Sequence, residues 1–168
     1  MCFPKKILMT AFFFLMVPYS QAVAQDKLTQ IKAVFLFKFA SYVTWPTESS
    51  LTAGGQFNLC IWGAHSFGNT LDVIARKQTE YHYKILYYKN DETPKNCHLI
   101  YTELPVHQAR KIKNTLLVSD QKGFAQQGGM IEMDQEEGKI KLTGNLNAAE
   151  EAGFKISSRL LGIMDVIR

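Results

Sequence analysis

Cysteine and proline are scarce in this chain of 168 residues, which has three of the first and five of the second. Long apolar stretches are missing too: the run Ile7 to Val17 has 11 residues, whereas a membrane-spanning helix needs roughly 20. His65, His82, His98 and His107 are scattered without paired ligand spacing, which fits solvated or hydrogen-bonded roles better than a metal site. There is no G-x-S-x-G elbow. Gly63 and Gly68 stand at P-loop spacing, but Asn69-Thr70 follow where Lys and then Ser/Thr are required, so no nucleotide triphosphate cradle is expected. Repeats, low-complexity tracts and linkers are also lacking, and one domain is the economical reading.

What is present begins with an export signal. Lys5 and Lys6 precede the apolar run, and Ser20-Gln21-Ala22-Val23-Ala24 places small residues at the −3 and −1 positions of a cleavage site. This pattern predicts a signal peptide over residues 1–24, cut after Ala24 and leaving a single domain over 25–168. Cleavage leaves 144 residues, enough for a real core. It also lowers the basic count from 19 to 17 against 15 acidic residues, about +2 in net charge. Without a concentrated basic face, nucleic acid is not an expected partner. Cys2 leaves with the leader, so Cys60 and Cys97 remain. An even pair in an exported chain suggests a disulfide; two separate buried thiols are the other reading.

Periodicity sets the expected fold. Asp26 is a good N-cap, and Leu28, Ile31, Phe35, Phe39 and Tyr42 recur at helical steps, which predicts a helix over Lys27 to Val43 that ends before Pro46. Val34, Leu36, Phe37 and Val43 lie off that stripe, so the helix is buried on two sides or forms a contact surface. Trp45, at the helix exit, is the better candidate for a partly exposed contact. Strands are predicted over Phe57 to Gly63, Tyr83 to Lys89, Cys97 to Thr102 and Thr115 to Ser119, with helices over Phe67 to Arg76 and Val106 to Lys113. This alternation implies an α/β fold with a largely parallel, Rossmann-like three-layer sheet. Gly128 to Met133 and Lys139 to Thr143 read as an antiparallel hairpin. Ala148 to Arg168 reads as a closing helical segment interrupted at Gly153.

Ligands in such sheets sit beyond the carboxyl ends of the strands. Ser66, Thr102, Ser119 and Asp120 fall at that edge, while Asn145 and Arg159 in the C-terminal part are further candidates for holding an anionic or polar ligand. His65, Ser66 and Asp120 also invite a nucleophile, base and orienter reading, although residue types alone do not bring them together.

Several segments taken in order resemble the YfiR-like periplasmic family. They are Lys32 to Ala40 leading to Trp45-Pro46, Leu59 to Gly63, Asn96 to Ile100, and Leu117 to Asp120 with Gly123-Phe124-Ala125. Gly128 to Ile131, Gly138 to Ile140, Asn145-Leu146 and Ala152 to Leu161 complete the set. The resemblance implies a non-enzymatic, dimeric, disulfide-containing periplasmic protein without a cofactor. Such a protein would bind the periplasmic sensing domain of an inner-membrane diguanylate cyclase and repress it, tuning cyclic di-GMP signalling and biofilm formation. It also places Cys60 and Cys97 at the family's common cysteine positions; the second, C-terminal pair of some members has no counterpart after Cys97. On this reading Phe39, Trp45, Glu132, Glu137 and Lys141 form a partner face of apolar anchors and charged orienters. A periplasmic small-ligand sensor serving another membrane receptor or a histidine kinase is the alternative.

Overall fold

The computed structural model describes residues 19–47 and 54–168, with side chains from Lys27 onward in the first segment. Most of the expected leader, Met1 to Ala24, lies outside the described residues. The first helix, α1, spans Tyr19–Tyr42. It therefore starts upstream of Asp26, which sits within the helix instead of capping it, because the Ser20-Gln21-Ala22-Val23-Ala24 stretch continues the helical backbone. Among the described residues no helix is long and apolar enough to cross a membrane.

The remaining elements, in chain order, are β1 (Val43–Thr44), β2 (Gln56–Trp62), α2 (Thr70–Ala75), β3 (His82–Tyr88), β4 (Leu99–Thr102), α3 (Val106–Ala109) and β5 (Leu116–Ser119). They are followed by β6 (Ile131–Glu136), β7 (Lys139–Asn145), α4 (Leu146–Glu151), β8 (Lys155–Ile156), α5 (Ser158–Leu161) and β9 (Met164–Ile167). Seven strands make one sheet in the order β3-β2-β4-β5-β6-β7-β9. Neighbours are parallel from β3 to β6; β6 and β7 are antiparallel, and β9 runs parallel to β7. The fold is thus a single mixed α/β domain with a mostly parallel sheet. β1 and β8 form a separate two-stranded clasp, pairing Val43 with Ile156.

Register assigns the two faces. Phe57 pairs with Tyr83, and the Tyr83 hydroxyl donates to the Phe37 carbonyl of α1 at 3.2 Å. Successive side chains in a strand alternate faces, so Phe57, Leu59 and Ile61 lie under α1, whereas Cys60 and Trp62 point to the opposite face. Leu99, Tyr101 and Val118 join the α1 face through their pairing with Leu59, Ile61 and Tyr101 respectively. All residues of β4 and β5 are buried, as expected for central parallel strands covered on both sides. Each fully buried Phe or Leu in this core contributes about 1.5–3 kcal/mol by leaving water. On the far face Cys60 and Cys97 form a disulfide with Cα atoms 5.8 Å apart, within the ordinary range for such a bridge.

The closing segment departs from the expected helix. Gly153, at φ +83°, ends α4 in the left-handed conformation that helix exits favour, which agrees with the predicted interruption. Beyond it only α5 is helical. Ser157 caps that turn by accepting from Leu160 N, and Gly162 follows it directly. The β-branched residues Val166 and Ile167 then extend as β9, because β7 offers a free edge for pairing.

Candidate functional site

Two places gather the chemistry-bearing residues. The first is the carboxyl edge of the sheet on the α1 face. Lys32, only 7% exposed, reaches from α1 to Asp120 just past β5, with Nζ 2.6 Å from Oδ2. Beneath this pair is Tyr101, fully buried, whose ring meets Phe67 edge-on at 4.9 Å. Among the described residues its hydroxyl makes no hydrogen bond of ordinary geometry, yet it feels the charge of two carboxylates. Burial first, and then the charge of Asp120 and Glu103, push its pKa upward. Glu103 is likewise raised, by burial and then by Asp120, with Lys32 opposing.

The direction of the Glu103 shift has a measurable result. The folded chain holds this proton more tightly than the unfolded chain does. Stability from this group is therefore gained as pH falls through the raised folded pKa and is fully present below 4.5. Glu103→Gln should flatten that rise in urea-unfolding profiles taken between pH 7 and pH 4. Superimposable profiles for the two proteins would remove Glu103 as its source.

The nucleophile arrangement does not assemble. The His65 Nδ1 is buried without a hydrogen-bond partner among the described residues, and the ring stacks on Tyr87 at 5.2 Å. Ser66 is exposed, and Asp120 is paired with Lys32. At the β2/β4 junction, where a doubly wound sheet usually opens a crevice, Thr102 Oγ1 donates to the Trp62 carbonyl at 2.9 Å and accepts from Leu104 N at 2.9 Å. Leu104 packs over Gly63, its Cγ 3.5 Å from where a Cβ would stand.

The other ligand candidates lie apart. Ser119 is fully buried and on the face opposite Asp120, where its hydroxyl accepts from Gln121 N at 3.1 Å. Asn145 caps α4, its Oδ1 accepting from Ala148 N at 2.9 Å, while its Nδ2 donates to the Ala125 carbonyl at 2.8 Å. Arg159, on α5, lies 5.8 Å over the Tyr42 ring. Ser66, Asn145 and Arg159 therefore lie apart from one another and from the Ser119–Asp120 end of β5.

The second place is the far end of the sheet. Glu137 and Gly138, at φ +48° and +73°, form the tip of the β6–β7 hairpin, both residues in the left-handed region that two-residue turns of this hand require. Lys141 lies between Glu136 Oε2 at 3.2 Å and Asp165 Oδ2 at 3.3 Å. These two carboxylates raise its pKa. A shallow depression beside them is lined by Lys139, Ile140 and Ile163. Ile163, just before β9, is 61% exposed and Val166, within β9, 40%; β9 is an outer strand of the sheet, and among the described residues it pairs with β7 alone. The remaining members of the expected partner face are elsewhere or inside. Phe39 is fully buried. Trp45 is half-buried, donating from Nε1 to the Ala40 carbonyl at 2.9 Å and meeting Phe57 and Phe154 edge-on. Glu132 is buried, and its carboxylate accepts from Gly123 N at 3.0 Å and Ala125 N at 2.9 Å, which holds the loop before β6 in place.

A protein-family model described as YfiR/HmsC-like matches residues 29–163. The chain belongs to the YfiR/HmsC-like family. The match runs from α1 to the residue before β9, so it takes in the Lys32–Asp120 pair, the disulfide and the hairpin. YfiR/HmsC-like membership supports a regulator of diguanylate cyclase signalling that works in the periplasm, in general terms. No curated protein matches the chain. Sequence reading alone passed over Ile163, Asp165 and Val166 as an edge, since they fell in the segment expected to be helical. The β-branched pair Val166-Ile167 after Gly162 was the available signal.

Proposed function

We propose that this protein binds the periplasmic sensing domain of an inner-membrane diguanylate cyclase and holds the enzyme inactive. The observation that carries the proposal is the β7–β9 edge. There, exposed Ile163 and Val166 stand just before and within β9, beside the Glu136–Lys141–Asp165 cluster, and among the described residues β9 is paired on one side. An open strand edge offers unpaired backbone groups to an incoming chain, apolar side chains supply anchors, and charges at the rim set the register. Glu137 at the hairpin tip belongs to this rim. Trp45 is a secondary contact, through its exposed part only.

The test is capture of membrane proteins from the host by the protein exported and processed as expected, residues 25–168, with mass spectrometry of what is retained. Recovery of a diguanylate cyclase is the expected result. Lys141→Glu should weaken its capture at least tenfold, because the reversed charge meets Glu136 and Asp165 at once and disturbs the rim. Unchanged capture by this variant and by Val166→Asp would move the partner face away from this edge. Sedimentation of the protein alone reads the expected homodimer, and a dimer lost in Val166→Asp would place self-association on the same edge.

A further inference from the structure

We propose that a cavity at the amino-terminal end of the sheet binds a small carboxylate with an apolar body. It has a volume of about 240 Å³ and opens between the turn after α3 and the end of α4. This is the end of the strands opposite to the Lys32–Asp120 pair, and it is separate from the β7–β9 edge. Its floor is Leu117, Met130 and Ile112, of which Leu117 and Met130 belong to the buried core. Its rim carries Arg110 and Lys113 on one side and Glu151 on the other.

The cations are the informative part. Among the described residues, the ion pairs of the chain involve neither Arg110 nor Lys113, and no side-chain hydrogen bond engages the Arg110 guanidinium. Its position comes from steric fit instead. Gly128, at φ +95°, leaves room where a Cβ would stand only 2.9 Å from Arg110 Nη1 and 3.2 Å from Cζ. The guanidinium is therefore laid against bare backbone at the cavity mouth, with its fork of donors uncommitted. Such a fork matches the two oxygens of a carboxylate. Lys113 adds a second positive charge, and Glu151 disfavours ligands with more than one negative charge. An inorganic anion would use the rim alone, whereas a ring or short alkyl body also covers the half-buried Ile112, Ala148 and Ala152 around the floor. The volume falls below the roughly 300–1,000 Å³ of sites for drug-sized molecules, so a single ring with a carboxylate is the appropriate scale.

Sodium benzoate is the probe. Titrated into the ¹⁵N-labelled protein, it should give saturable shifts that cluster at the amides of Lys113 to Thr115, Gly128 and Glu151. Arg110→Gln, at an exposed position where folding is not at stake, should weaken the affinity about tenfold or more, the usual effect of losing a charge-assisted hydrogen bond. Sodium acetate, with the same charge and no ring, should bind at least tenfold more weakly than benzoate. Scattered or non-saturating shifts, or an Arg110→Gln variant that titrates like the parent, would overturn the site. Equal affinities for acetate and benzoate would overturn the apolar half of the assignment.

Discussion

Replacing Cys60 and Cys97 together with alanine lowers the unfolding free energy by about 4 kcal/mol, as expected when a closed loop of this length is opened in the chain-entropy model. The two residues are 37 positions apart, and the bridge ties β2 to the entry of β4 on the face away from α1. For a domain of this size the loss corresponds to a fall in Tm of roughly 8–16 °C. Urea unfolding with and without dithiothreitol, compared with the double variant, checks it. The reduced parent and the alanine variant should unfold at nearly the same urea concentration, both well below the oxidised parent. A difference under about 1 kcal/mol between oxidised and reduced protein would show that the sheet holds this junction without the bridge.

The second large effect belongs to the Lys32–Asp120 pair. Breaking a buried ion pair by removing one partner leaves the other charge without compensation, which costs about 3–5 kcal/mol. Asp120 keeps 18% of its side chain exposed, so Asp120→Asn should fall near the lower end, about 3 kcal/mol. Replacing both partners, Lys32→Met with Asp120→Leu, should recover most of that loss, because neither charge is then stranded. The cycle is read by chemical denaturation at pH 7. If Asp120→Asn alone costs less than 1 kcal/mol, the pair is not what seats α1 over the strand ends, and the apolar contacts of Phe39 and Leu36 carry that role.

The parts legible in the sequence were those governed by local pattern. Alternating strands and helices with short turns gave the parallel sheet, since the hydrophobic runs at Leu59 to Trp62, Leu99 to Thr102 and Leu116 to Ser119 leave few alternatives. The Cys60–Cys97 bridge was legible from compartment and count. The site was less so, for a physical reason. Glu132 looks like a surface charge in a polar hairpin, but it lies directly opposite Ser119 in the β5–β6 pairing, where two loop amides in the fold need an acceptor. Tyr101 and Glu103 gave no motif at all, because their significance is that Lys32, distant in sequence, comes to rest over them. The last strand was missed because Arg159-Leu160-Leu161 extends the helical pattern of the preceding residues. Gly162 changes the backbone course only where β7 is already present to receive it.

The small clasp between β1 and β8 adds contacts of long sequence separation to the domain. Val43 and Ile156 come from opposite ends of the domain, so the clasp ties the exit of α1 to the C-terminal part of the chain, in addition to the tie from Lys32 to Asp120. A larger share of contacts between distant parts of a chain slows folding. In a chain exported as the sequence predicts, slow closure would keep the polypeptide open for longer before the domain is complete.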